Sequence, residues 1–261
     1  MRIATFNVNS IRARLARVVR WLERQQPDVL CLQEIKCLDE QFPREPFEAL
    51  GYRCEVHGQK TYNGVAILSR LPVEEVLAGL PGGPEQAGAR VISATLGELR
   101  VINAYVVNGQ AVGSVKYALK LSWLAALAAH VASELALHPK LLVTGDFNVT
   151  FDDRDVHDPA AWHEKILCST PERAALAAVL APGLHDAFRH FVPEGGHYTW
   201  WDFRTRGFQR GDGLRIDHVL LSAAALADCR RVEIDVEERR GEAPSDHAPV
   251  IATFVESDAA E

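Results

Sequence analysis

The most constraining feature of this chain is a set of short apolar runs that stop on an acid or an amide. RIATF leads into Asn7 and Asn9, VLCLQ into Glu34, and LLVTG into Asp146 and Asn148. Tyr105 lies within RVINAYV, Asp217-His218 within LRIDHVLL, and Asp246-His247 precedes APVIATF. Runs of this length and β-branched content have the size of strands rather than helices. A carboxylate at the end of a buried strand is costly unless it is paired or metal-bound. Six such groups together predict that one end of a sheet structure forms a polar cleft.

Helices are read between the strands. Ile11–Gln26 places Ile11, Leu15, Val18/Val19 and Leu22 on one face, with Ser10 in the N-cap position and Pro27 closing the helix. Val115–His138 is a long Ala- and Leu-rich helix whose Leu121, Trp123, Leu124 and Leu127 read as core, and a shorter helix lies near Glu172–Leu180. Strands are expected at Arg2–Asn7, Val29–Gln33, Val65–Ser69, Val91–Leu96, Arg100–Val106, Leu141–Thr144, Arg215–Leu221, Val232–Val236 and Val250–Val255. Strands outnumber helices and do not alternate strictly with them. That predicts an α/β sandwich, two mixed sheets face to face with helices outside, rather than a doubly wound sheet. PGGPEQAG (Pro81–Gly88) is short enough to be a loop, so residues 1–261 are expected to form a single domain. Asn7-Val8-Asn9 and Asp146-Phe147-Asn148 form a faint internal echo.

Composition narrows the function classes. Five scattered cysteines argue for reduced thiols and a cytoplasmic protein, against a disulfide framework or a Cys-ligated zinc. No apolar run reaches membrane-span length, and no secretory signal is read at the N-terminus. The net charge of −7 speaks against a generic nucleic-acid coat, yet Asp228–Glu261, with ten acids and four arginines, carries −6 of it. Met1–Lys36 holds seven basic residues against three acids, and Arg204, Arg206 and Arg210 read as an acid-free basic loop. A locally basic face is therefore expected on an acidic protein.

The motifs of P-loop, zincin and esterase sites are absent. Each remaining candidate has a structural alternative. Glu34 could be the first solvated residue after its strand, and Asp146 with Asn148 an Asx turn. Tyr105 reads first as a half-buried strand tyrosine, whereas Asp217 inside an apolar strand demands a partner. Asp246 beside His247 suits the fixing of a tautomer. Carboxylates, amides and a histidine without thiolates suit Mg²⁺, with Mn²⁺ a second option, acting on a phosphate ester.

At this point the motifs are diagnostic. FNVNSIRAR, DVLCLQEIK, YNGVAILSR, NAYVVNG, LLVTGDFNV, WWDFRTRGF, LRIDHVLLS and PSDHAPV, in this order and over essentially the whole chain, resemble the exonuclease III branch of the endonuclease/exonuclease/phosphatase superfamily. The resemblance implies a four-layered α/β sandwich and a Mg²⁺-dependent phosphodiesterase on double-stranded DNA with abasic sites or blocked 3′ ends. A monomer is expected because the sequence shows no heptad or long exposed apolar stripe. It implies Glu34 as principal metal ligand with Asn7 and Asp246 nearby, and Asp146 as the proton-transfer group. Asn148 would orient nucleophile or phosphate, Asp217 would hold an imidazolium at His247, and Tyr105 and Asn108 would contact phosphate. Trp200 and Leu214 would line the pocket of a flipped sugar. Arg12, Arg90, Lys116, Lys120 and the Arg204–Arg210 loop become candidates for DNA contacts. Ser10 and Val107 stand where the family commonly has glycine and proline. A phosphatase acting on a non-DNA ester and a catalytically silent DNA-binding module are the competing readings.

Overall fold

The computed structural model describes residues 1–255. Its fourteen strands are β1 (Arg2–Asn7), β2 (Val29–Gln33), β3 (Arg53–His57), β4 (Val65–Ser69), β5 (Glu74–Ala78), β6 (Val91–Leu96), β7 (Leu99–Tyr105), β8 (Leu141–Asp146), β9 (Leu184–Asp186), β10 (Trp200–Trp201), β11 (Gly213–Leu214), β12 (Asp217–Ser222), β13 (Cys229–Ile234) and β14 (Val250–Phe254). Two six-stranded sheets carry the fold, in the orders β13-β14-β1-β2-β4-β3 and β5-β6-β7-β8-β12-β9, and β10 pairs with β11 as a separate ribbon. Each large sheet is antiparallel except for one central parallel pair, β1 with β2 and β7 with β8. The two sheets thus repeat one pattern of strand directions, which gives the faint sequence echo a structural meaning.

Alternation along the strands builds the layers. Ile3, Val29, Cys31, Ile67, Val101, Leu142, Val219 and Ala252 point between the sheets and form the central core. The opposite face of the first sheet packs against Ile11, Val18, Trp21 and Leu22 of the helix Ile11–Gln25. The outer face of the second packs against the helices Val115–Leu137 and Thr170–Leu180, through residues including Trp123, Leu124, Leu127, Leu176 and Val179. Leu121 is only half-buried and lies outside that cluster. Helix, sheet, sheet, helix is the expected sandwich.

The differences from the expected elements have physical causes. β8 runs through Gly145 to Asp146, so the acid is the last residue of the strand rather than the start of a loop. β12 begins at Asp217 and not at Arg215, and the thirteenth strand starts at Cys229, earlier than expected. Strands β3, β5 and β9 escape a reading by pattern because they are sheet edges. β5, for example, is exposed at every residue but Leu77, and a half-solvated edge shows no apolar run.

Candidate active site

The strand directions bring the acids together. β1 and β2 run parallel with Asn7 opposite Gln33, so Asn7 and the next residue along, Glu34, emerge side by side. In the second sheet Tyr105 lies opposite Asp146 across the parallel pair, and antiparallel β12 starts with Asp217 opposite the same Asp146. The turn before β14 supplies Asp246 and His247. Both β1 and β8 end in the same Asx turn, Asn9 N–H to Asn7 Oδ1 at 3.0 Å and Asn148 N–H to Asp146 Oδ1 at 2.9 Å. The Asx-turn reading of Asp146 and Asn148 therefore holds together with the functional one.

Backbone strain concentrates here. Asn9 (φ 46°), Ser10 (φ 91°), Glu34 (φ 52°), Lys36 (φ 54°) and Asn148 (φ 50°) all occupy the left-handed region, which costs side-chain-bearing residues of order 1 kcal/mol or more each. Surrounding bonds enforce it. Ser10 N–H donates to Glu34 O at 2.8 Å, Ile11 N–H to Ile35 O at 3.2 Å, and Lys36 N–H to Asn63 O at 3.0 Å. Ser10 thus holds a conformation that glycine adopts freely.

Asn7 is the hub. Its Nδ2 donates to Glu34 Oε1 and to Asp146 Oδ2, both at 2.9 Å, while its Oδ1 is taken by the Asx turn. Asp146 Oδ2 also accepts from Asn148 Nδ2 at 3.2 Å and faces His247 Nε2 at 3.7 Å. The other ring nitrogen of His247, Nδ1, lies 2.9 Å from Asp217 Oδ2. Burial alone lowers the His247 pKa, but the Asp217, Asp146 and Asp246 carboxylates outweigh it and raise the value to about 10. Burial raises Asp146 to about 7, with Asp217 and Glu34 adding to the rise and His247 opposing it. Near neutral pH the centre therefore holds an imidazolium beside a carboxylate ready to exchange a proton.

Ligand atoms of Glu34, Asp146 and His247 lie within 4.8 Å of one another. The half-exposed Glu34 carboxylate is partly neutralised by Lys36, whose Nζ is 2.8 Å from Oε2 and also donates to Asn9 Oδ1 at 2.5 Å. Oxygen donors at the mouth and a cation already drawn to them fit a hard divalent ion. Asp246 stands one step back, its Oδ1 accepting from Asn9 at 2.9 Å and its Oδ2 from Trp200 Nε1 at 3.0 Å. Desolvation would raise its pKa, but His247 and these two donors hold it low.

The remaining predicted residues divide. Tyr105 joins the cluster; burial first, then the Glu34 charge, lifts its pKa well above the usual value, so it stays a hydroxyl donor. Exposed Asn108 donates to Asn148 Oδ1 at 3.0 Å. Trp200 is half-buried and pairs through β10 with Leu214 of β11; Leu214 is fully buried over Val156, Cys168 and Ile216. Arg90 is half-buried and lines an open depression while its guanidinium packs on the protein. Its guanidinium stacks on the Tyr105 ring at 4.5 Å and its Nε donates to Ala87 O at 2.8 Å. Lys116 is exposed and borders a depression with Asn108, Arg90 and Arg204. Arg12 is exposed on the first helix. Lys120 is the clear departure: it is fully buried against Glu172 and touches no open surface. The basic loop also needs correction. Arg204 pairs with Asp202 at 3.1 Å and Arg210 with Asp212, so flanking acids that the loop's own sequence excludes stand beside two of its three charges, though both guanidinium groups stay exposed.

Sequence motifs did not reveal the buried cluster behind this site. Arg215 forms ion pairs with Asp155 at 2.7 Å and Asp186 at 2.6 Å, and Arg189 joins Asp155 at 2.5 Å. His218 shares the cluster, donating from Nε2 to Val149 O at 2.8 Å and accepting at Nδ1 from Arg215 at 3.2 Å. Its residues are scattered over the chain, and only Arg215 and His218 flank a recognised position.

Two facing sheets that meet at a carboxylate, amide and imidazolium cluster define a hydrolase of phosphate esters. The chain matches the Endonuclease/Exonuclease/phosphatase family over residues 4–247 and belongs to it. It is 37% identical to exodeoxyribonuclease III of Haemophilus influenzae over 97% of this chain and all of that one. Among solved structures it is similar to the 3′ phosphatase NExo from Neisseria bound to a product DNA hairpin, at 47% identity and a TM-score of 0.96, covering 98% of this chain and 100% of that one. An AP endonuclease from Archaeoglobus fulgidus matches at 37% identity and a TM-score of 0.93, over 97% of this chain and 99% of that one.

Proposed function

We propose that this chain is a DNA-repair phosphodiesterase on double-stranded DNA. It cleaves 5′ to abasic sites, trims from 3′ termini and removes blocking groups from 3′ ends, leaving a 3′-hydroxyl. The observation that carries this reading is the Asp217–His247–Asp146 array beside the Asn7–Glu34 pair. His247 is an imidazolium whose Nε2 faces the cluster, and it presents its proton to a phosphoryl oxygen. Asp217 fixes the ring from Nδ1. Asp146, with a pKa of about 7, takes the proton of the attacking water. Asn108 and the Tyr105 hydroxyl are donors toward the remaining phosphoryl oxygens, and Asn148, whose Nδ2 is taken by Asp146 and Val106 O, orients Asp146. Glu34, with Asn7 beside it and Asp246 behind, would hold Mg²⁺, or Mn²⁺ in its place, which supplies charge neutralisation at the phosphate.

Half-buried Trp200 offers its ring as an apolar wall for a sugar turned out of the duplex, whereas Leu214, expected to line the same pocket, is buried behind it. Exposed Lys116, Arg204 and Arg210 are the cations we assign to the DNA backbone. No helix among the described residues is long and apolar enough to cross a membrane. We take the enzyme to be a cytoplasmic, single-domain monomer. The similarity to NExo, described as a 3′ phosphatase, favours a second reading in which 3′-end cleaning is the dominant activity. A duplex with one abasic-site analogue, assayed beside a duplex with a 3′-phosphate end, tests both. Incision at the analogue that requires Mg²⁺ and falls at least about a hundred-fold in Asp146→Asn supports the first; release of phosphate alone supports the second. An enzyme that processes neither substrate overturns the DNA assignment.

A further inference from the structure

Lys120 lies outside the cluster and grips it from behind. Its side chain has no solvent exposure, and neither has that of its ion-pair partner Glu172. The ammonium also donates to Asn148 O at 2.7 Å and to Asn108 O at 3.1 Å. With Glu172 as third acceptor, all three of its N–H bonds are used. Glu172 is equally committed: it accepts from Leu167 N–H at 3.1 Å, Ser169 N–H at 3.2 Å and Ser169 Oγ at 2.6 Å.

The two carbonyls that Lys120 holds belong to the two asparagines that stand beside Asp146. Their side chains bond each other, and Asn148 keeps its left-handed backbone and its Nδ2 contacts to Asp146 and Val106 O. A fully buried ion pair is seldom more stable than an apolar pair of the same volume. Its presence here calls for another reason, and among the described residues the only polar groups that Lys120 reaches besides Glu172 are these two carbonyls.

We propose that Lys120 is a positioning residue. It clamps the Asn108 and Asn148 segments together so that the Asn148 amide holds Asp146 and the Asn108 amide meets the phosphate in one fixed geometry, and it does not itself touch DNA. This rests on the reading of Asn148 and Asn108 given above. The test must separate positioning from loss of a charge partner. In Lys120→Met/Glu172→Gln both charges go together, so no lone buried carboxylate remains. Steady-state kinetics are measured on the abasic duplex and on the 3′-phosphate duplex, with thermal melting alongside. The expected result is a folded protein whose kcat drops about ten- to hundred-fold while KM changes less than about two-fold. The same change placed on Asn148→Ala should cost nothing further, because the lost geometry is then already absent.

Wild-type kcat in the folded double variant, or a full additional loss on top of Asn148→Ala, overturns the clamp. If Asn148→Ala retains wild-type kcat, the site reading beneath it fails as well, so the two failures are distinguishable. Should the double variant not fold, Lys120→Arg keeps the charge and changes the donor geometry: reduced kcat at wild-type melting temperature supports the clamp, and unchanged kcat rejects it.

Discussion

At the scale of single residues, the decisive fact is that one histidine is held charged and another neutral a short distance apart. His247 is raised to about 10 because three carboxylates outweigh its burial. His218 falls to about 4, with burial the main cause and Arg215 adding to it. Because the folded pKa of His247 lies above its ordinary 6.5, its charged form is complete below that value and is lost as the pH rises through about 10. Asp217→Asn removes the largest of the opposing charges. We expect kcat to fall on the order of a hundred-fold and the alkaline decline of activity to move to lower pH; a pH–rate profile that keeps the wild-type alkaline limb would contradict the assignment. The candidate acids were legible in the sequence because each ends an apolar run, where an unpaired carboxylate is hard to explain. The fate of Lys120, Arg204 and Arg210 was not. A lysine four residues from exposed Lys116 reads as surface, and nothing local shows that Glu172 waits for it inside. Likewise the partners of Arg204 and Arg210 sit just outside the basic segment and become visible only when its turns bring Asp202 and Asp212 back.

At the scale of elements, the parallel pair β7–β8 sets the site, and it depends on one missing side chain. Gly145 lies opposite Ala104, has φ +139°, and a Cβ built there would stand 1.9 Å from Ala104 O. That contact is with backbone, so no rotamer change relieves it. Gly145→Ala should therefore spread β7 from β8 and lower stability by more than about 2 kcal/mol, seen as a lower urea midpoint; an unchanged midpoint would show that the strands can shift without cost. The central strands were readable as β-branched runs because both their faces are covered. Although the edge strand β13 was readable in part, the edge strands β3, β5 and β9 and the two-residue ribbon β10–β11 were not. Their residues are set by what lies across from them, such as the bridge between Trp200 and His247, and not by local pattern.

At the scale of the whole molecule, two sheets with the same sequence of strand directions face each other, and each delivers the open end of its parallel pair to one place. The acidic net charge weakens the pull on DNA: exposed Arg204 and Arg210 each carry an acidic neighbour, Arg90 is half-buried against Tyr105, and Lys120 turns inward. We expect duplex affinity to fall only gently with salt, with a log–log slope of magnitude about 2 to 4 rather than the steeper values of strongly basic proteins. Lys116→Ala should lower that magnitude by about 1. A steep slope, or one that Lys116→Ala leaves unchanged, would place the DNA path elsewhere.

The five cysteines give the architecture one more property. All are unpaired and buried, and burial pushes their thiols up, Cys54 to about 12. None lies in the cluster that does the chemistry, and a protonated thiol locked in a core is a poor target for peroxide or electrophiles. We expect an enzyme of this design to keep its activity through the same oxidative episode that scars the genome, because the fold has put its thiols out of reach.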